Sequence, residues 1–239
     1  MALLVIGMPH FSIALLLAVL SVEAPLDSLL PKRGAMAMKQ GGVSVYALGR
    51  RNSRSVARKY DHAIRAAGKG DHPEAIRLLT DALGQDAGNK EAQNDLGVMY
   101  QALGDHAQAA ECFALALAGD PDYALAHLNM TYSLAALHRF AEAERAARAA
   151  LRAKPDAAAA HFVLGLILIS ERRFTTEALA SLRLARREFP EALIGSASIL
   201  LHQGNAREAQ SDLRAYMATA RPEALETAKA WLELAQYPL

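Results

Sequence analysis

The chain has 239 residues, 52% of them hydrophobic and 21% charged, enough apolar material to bury a sizeable core and too much for an intrinsically disordered chain. With 26 Lys and Arg against 25 Asp and Glu, the formal net charge of +1 gives no chain-wide attraction for nucleic acid. One cysteine, Cys112, excludes an internal disulfide and a cysteine-based zinc site, and the alanine-rich composition with 6% aromatics points to close-packed helices.

Residues 2–22, ALLVIGMPHFSIALLLAVLSV, are an apolar run of membrane-span length, interrupted by Gly7, Pro9 and His10. Two readings stand side by side. Positive charge comes only after the run, at Lys32, Arg33, Lys39, Arg50 and Arg51, which under the positive-inside rule favours an uncleaved anchor with the rest of the chain cytoplasmic. Alternatively, Ile13–Leu20 is the core of a cleaved export signal ending near Val22-Glu23-Ala24. A misassigned start or a locally packed helix is the third option. Residues 23–55 carry Pro25, Pro31, Gly34, Gly41, Gly42 and Gly49, too many breakers for a stable helix or a paired strand, and read as a flexible basic linker.

Beyond residue 55 the chain repeats itself. The alanines of Glu74-Ala75, Gln108-Ala109, Glu142-Ala143, Glu177-Ala178 and Glu208-Ala209 are spaced 34, 34, 35 and 31 apart. A second register holds Ala82, Ala116, Ala150, Ala185 and Tyr216, and a third holds Leu79, Phe113, Ala147, Leu182 and Leu213. The third lies four residues after the first and three before the second, which is one face of a helix. Ahead of each such helix a second apolar segment carries a small residue at Ala63, Gly97, Thr131, Gly165 and Ala197. Turn signals follow at Gly70-Asp71, Gly104-Asp105 and Gly204-Asn205, and proline closes units at Pro121, Pro155, Pro190 and Pro222. The unit predicted is a pair of antiparallel helices, with Gly97 and Gly165 at the helix contacts. Such a pair cannot bury its own apolar face, so the pairs must stack into an all-α solenoid. Residues 224–239, with the only tryptophan, Trp231, read as a helix that caps the last pair.

These residues resemble the tetratricopeptide repeat family. The second unit matches best, with Leu96-Gly97, Tyr100, Gly104, Ala109, Phe113, Ala116 and Pro121 at the family's relative spacing. The resemblance spans residues 56–223 in five units, 56–89, 90–123, 124–157, 158–192 and 193–223. It departs from the family where His127 and His161 fill a large apolar slot, where His138 replaces the turn glycine, and where an extra residue enters around Arg172-Arg173-Phe174. What the resemblance implies is a non-catalytic scaffold that binds a peptide or a helix of a protein partner in a concave groove. By the family's geometry that groove is lined by Tyr60, Asp61, Asn94, Asp95, Val98, Gln101, Leu128, Asn129, Tyr132, Phe162, Val163, Leu166 and Ile169. This list runs from acidic and amide-bearing to apolar and holds no Lys or Arg. The carboxylate clamp of chaperone-binding members, built from inward basic residues, is therefore not expected. The later residues are expected to form an exposed apolar patch that takes a partner, unless neighbouring helices, the N-terminal segment or a second copy of the chain covers it. A basic residue of the partner would meet Asp61 and Asp95. An accessory role in a membrane or secretion machine is the alternative reading.

No chemistry of an enzyme stands out. His127 and His161 recur one unit apart, as do His72 and His106, so repetition explains them better than a metal site does. Cys112 next to Phe113 reads as a buried small hydrophobe. There is no Gly-rich phosphate loop, no H-E-x-x-H and no nucleophile elbow, and no cofactor is expected.

Overall fold

The computed structural model describes residues 54–219 together with Ala228, Lys229 and Leu232. Among the described residues there are ten helices and no strand. They are α1 (Arg54–Gly68), α2 (His72–Leu83), α3 (Lys90–Leu103), α4 (His106–Gly119), α5 (Ala124–Ala136), α6 (Phe140–Ala153), α7 (Ala158–Ser170), α8 (Thr176–Ala185), α9 (Ala192–His202) and α10 (Ala206–Met217). Each odd-numbered helix packs antiparallel to the helix that follows it, and each pair packs on the next, which makes an all-α solenoid.

Local chemistry starts and stops these helices. The side chains of Asp71, Asn89, Asp105, Thr175 and Asn205 accept hydrogen bonds from N–H groups three residues on, at 2.9–3.5 Å, and so satisfy donors that a helix start leaves open. The turn inside every pair needs one residue in the left-handed region. Gly70, Gly104 and Gly204 supply it at φ of 78°, 82° and 76°, and His138 and Arg172 supply it at 56° without being glycine. The missing turn glycine thus leaves the backbone path unchanged. The extra residue of the fourth unit is taken up before Thr175, which caps α8 from an extended conformation.

All three sequence registers face inward. Ala75, Ala109, Ala143, Ala178 and Ala209 are fully buried, and so are Phe113, Ala147, Leu182 and Leu213. The small positions on the first helices explain how close the backbones come. A Cβ on Gly97 would lie 2.5 Å from the Phe113 ring, and one on Gly165 would lie 2.6 Å from Leu182. The apolar core falls into two main clusters, one over α1–α4 and a larger one over α5–α10 that also takes in Ala110, with Met130 packed against both. Of the expected capping helix, Ala228, Lys229 and Leu232 are helical. Ala228 packs with Leu193, Ile194 and Tyr216, and Leu232 packs on the larger cluster. The apolar run 2–22, the linker up to residue 53 and Trp231 lie outside the described residues. No described helix is long and apolar enough to cross a membrane.

Candidate interaction face

The thirteen residues expected on the inner side of the solenoid sit on α1, α3, α5 and α7, and their surroundings differ sharply. Asp61 is exposed, Leu128 and Tyr132 are half-buried, and the other ten are buried.

At the early end the buried residues form a polar ladder that runs sideways from unit to unit. The Tyr60 hydroxyl on α1 donates to Oδ2 of Asp95 on α3. Asn94 Nδ2 donates to the other Asp95 oxygen at 3.2 Å, and Asn129 Nδ2 on α5 donates to Asn94 Oδ1 at 3.0 Å. Gln101 Nε2 donates to the Asn129 carbonyl and to Ser133 Oγ, each at 2.8 Å. Burial first, and then the Asp95 charge and hydrogen bond, hold the Tyr60 phenol far above its ordinary range. The phenol therefore stays protonated and remains a donor to the carboxylate. Asp95 itself is 0% exposed. This corrects the expectation that Asp95 meets a basic residue of a partner, because its carboxylate is wholly buried against Tyr60 and Asn94, whereas Asp61 is exposed.

At the late end the expected exposed patch is largely core. Phe162, Val163, Leu166 and Ile169 are 0%, 0%, 1% and 7% exposed. The Phe162 ring stacks on Phe189, just ahead of α9, at 5.0 Å between centroids and 6° between planes. Ile169 reaches toward α9, with Cδ1 3.3 Å from where a Gly195 Cβ would be. The physical reason lies in the composition of α7, which is apolar on every side and has α5, α6, α8 and α9 packed on it. Leu128 and Tyr132 on α5 keep accessible surface, between the ladder and α7. Tyr132 also meets the His106 ring edge-on at 5.8 Å.

The histidines act as fasteners between units. Nε2 of His127 donates to the Pro121 carbonyl at 2.8 Å, and Nε2 of His161 donates to the Pro155 carbonyl at 2.9 Å. Each bond ties the start of a first helix to the turn that precedes it, so the large apolar slot has become a polar latch. Cys112 is buried, and burial pushes its thiol up to about 11, which removes the thiolate a nucleophile needs. Among the described residues no group of three or more His, Cys, Asp or Glu side chains is arranged to hold a metal ion.

Sequence reading missed Ser133, the partner of Gln101, because that contact crosses from one unit to the next, and Phe189, the partner of Phe162, because it lies at the end of the same unit, outside the recurring registers. It also missed an outer network around Glu144 on α6, which accepts from Arg148 at 2.7 Å and from Arg173 at 2.6 Å, while Arg148 reaches Glu177 on α8 at 2.6 Å. Arg173 and then Arg148 hold the Glu144 carboxyl below the usual carboxylate range.

Two sequence profiles, both described as tetratricopeptide repeat, match residues 66–128 and 128–193 and so cover more than half of the chain between them. Among solved structures, MamA of Desulfovibrio magneticus RS-1 is similar at 18% identity and a TM-score of 0.64, over 74% of this chain and 98% of that one. A thermophilic TPR protein of Thermus thermophilus is similar at 22% identity and a TM-score of 0.55, over 75% and 99% of the two chains. The first TPR of Spaghetti (RPAP3), bound to an HSP90 peptide, is similar at 21% identity and a TM-score of 0.50, over 51% and 96%. These likenesses concern the fold. No curated protein matches the sequence.

Proposed function

Because the chain belongs to the tetratricopeptide repeat family, whose domains bind protein or peptide partners, we propose that it is a non-catalytic scaffold holding a peptide or helix of another protein against the inner side of α5. The observation that carries this reading is the placement of Leu128 and Tyr132. They are the two inward apolar residues that keep accessible surface, at the middle of the solenoid, with the Asp61 carboxylate exposed two units earlier. A partner suited to this face offers an apolar or amphipathic helix with a basic residue toward the Asp61 end. A terminal carboxylate is a poor match, because none of the thirteen inward positions carries Lys or Arg. The sequence of residues 2–22 supports a membrane-anchored form of the same scaffold, with the repeats cytoplasmic, and the exported form is its alternative.

The test is capture of partners by chemical crosslinking in the native cell, with the wild-type chain beside Leu128→Ala/Tyr132→Ala. If these side chains are the anchors, the double variant weakens capture by roughly 2 kcal/mol or more while the helical signal and melting midpoint hold. Phe162 is unsuitable for this purpose, since its removal would open a cavity in the core. Capture that persists in the double variant and vanishes in Arg50→Ala/Arg51→Ala would move the binding element to the linker.

A further inference from the structure

The first helix carries charge where every later unit carries core. In the register that aligns Ala63 with Gly97, Thr131, Gly165 and Ala197, Arg58 corresponds to Ala92, Ala126, Ala160 and Ala192, and Arg65 to Met99, Ser133, Ile167 and Ile199. All eight of these counterparts are 0–2% exposed. Their arc faces the preceding unit, since Ser133 accepts from Gln101 one unit earlier and Ala160 clusters with Ala150. On α1 no described unit comes before, and Arg58, His62 and Arg65 are exposed there, with Lys69 in the turn that follows. The polar outer face that a terminal unit needs could carry either sign of charge; this one is basic. Lys59 is matched by Asp81 at 2.9 Å and Arg77 by Glu74 at 2.7 Å, whereas Arg58, Arg65 and Lys69 have no ion-pair partner among the described residues. We propose that this end face rests on anionic lipid headgroups, so that the solenoid stands on the membrane by its first unit and holds the inner side of α5 about 20 Å away, two units on at helix spacings of ~10 Å. The inference rests on the membrane-anchored form proposed from residues 2–22.

Three observations choose a lipid surface as the occupant. The first is continuity of sign: residues 28–60 hold eight Lys and Arg and no Asp or Glu, so the basic charge of α1 continues a basic stretch that begins shortly after the apolar run. The second is attachment. Only residues 23–53 separate that run, which has the length of a membrane span, from α1, so insertion of the run brings the headgroups within reach of the end face, and weak contacts then suffice to seat it. Lys and Arg side chains near an anionic leaflet each add to such an attraction, which salt screens. The third is extent. The basic surface stops at the second unit, where residues 90–123 hold Lys90 against six Asp and Glu, so a nucleic acid strand would find no track along the solenoid, whereas a flat headgroup surface needs only the end.

The test uses the full-length chain in a Cys112→Ala background with a fluorophore on His62→Cys, mixed with phosphatidylcholine vesicles that carry a headgroup-attached quencher, with and without phosphatidylserine. The label is expected to be quenched when phosphatidylserine is present and to recover in high salt. A label on Ala180→Cys, exposed on α8 three units away, should stay bright. Arg58→Gln/Arg65→Gln/Lys69→Gln should lose the quenching with its melting midpoint unchanged, because all three side chains are exposed. Equal quenching with and without phosphatidylserine would overturn the inference. So would quenching that survives in the triple variant, which would assign the contact to the linker, and so would duplex DNA that lifts the label off the vesicles and binds the wild type but not the triple variant. Flotation with vesicles of phosphatidylcholine alone reports the apolar run by itself. A chain that floats with them and shows no quenching with phosphatidylserine defeats the end-face contact alone; a chain that floats and is quenched only with phosphatidylserine defeats the anchored form alone.

Discussion

Gly97 on α3 and Phe113 on α4 share one space: a Cβ on the glycine would stand 2.5 Å from Cε1 of the ring, closer than carbon atoms approach. The same exchange of volume recurs along the solenoid, with Gly165 beside Leu182 and with Thr131, the bulkiest residue at this register, in the unit whose second helix offers only Ala147. At these contacts the room left by the small residue is filled by the large one, so the packing depends on the pair of sizes and not on either residue alone.

Replacing Gly97 by Leu is expected to overpack this contact and to cost on the order of 1–3 kcal/mol or more, measured as a lower urea midpoint with unchanged slope. Trimming the ring at the same time, Gly97→Ala/Phe113→Leu, should recover most of the loss relative to Gly97→Ala. An unchanged midpoint in Gly97→Leu would refute the packing.

Tyr60→Phe removes one donor from a carboxylate that is wholly buried, at an expected cost of about 1–3 kcal/mol. The pH dependence has a definite sign. The folded-state phenol is raised above its unfolded value of about 10, so its contribution is complete below that pH and is lost as the pH rises above it. Wild-type stability should therefore fall above about pH 10, and Tyr60→Phe should show a shallower fall. Parallel curves for the two proteins in alkaline denaturant titrations would contradict the ladder.

His138→Gly and Arg172→Gly should each stabilise the chain, since a non-glycine residue held in the left-handed region costs roughly 1–2 kcal/mol. The glycine's extra unfolded-state freedom offsets part of that gain, which leaves about 1 kcal/mol or less, readable in thermal melts. The same change at exposed Arg187, which lies in a turn but not in the left-handed region, should give no gain.

Glu144→Gln weakens the outer network between α6 and α8. Because the Glu144 carboxyl is held below its ordinary pKa, its contribution is present above about pH 4.3 and is lost as the pH drops through the lowered value. A loss of about 1 kcal/mol at neutral pH is expected, shrinking in high salt and absent at acid pH. An equal deficit at every pH would show that Glu144 acts through packing instead.

The repeat was legible because the residues that define a helix pair lie three, four or 34 positions apart in one chain, and periodicity reports such spacings directly. The inner face was harder to read. Asp95 looks like a solvated acid in the sequence, and only its neighbours 35 residues upstream and one before it, Tyr60 and Asn94, make it a buried acceptor. Phe162 and Leu166 sit at groove positions of their own unit, but whether they meet solvent depends on Phe189, which no recurring position marks, and on the neighbouring helices α5 and α9. His138 departs from the turn signal and still adopts the turn, since the packed helices on both sides dictate the backbone there.

The break in the apolar core between α4 and α5 bears on how the chain comes apart. Apart from Ala110 and Met130, the two clusters stay on their own sides, and what bridges them includes the hydrogen bonds of Gln101 and Asn94 with α5. Hydrogen bonds of this kind are worth about 1 kcal/mol each after the exchange with water, less than a buried leucine contributes. Stacked units exchange stability mainly with their nearest neighbours. Amide protons of α1–α4 should then exchange as one block and those of α5–α10 as another, with a first fracture at residues 119–124 and not at either end of the solenoid.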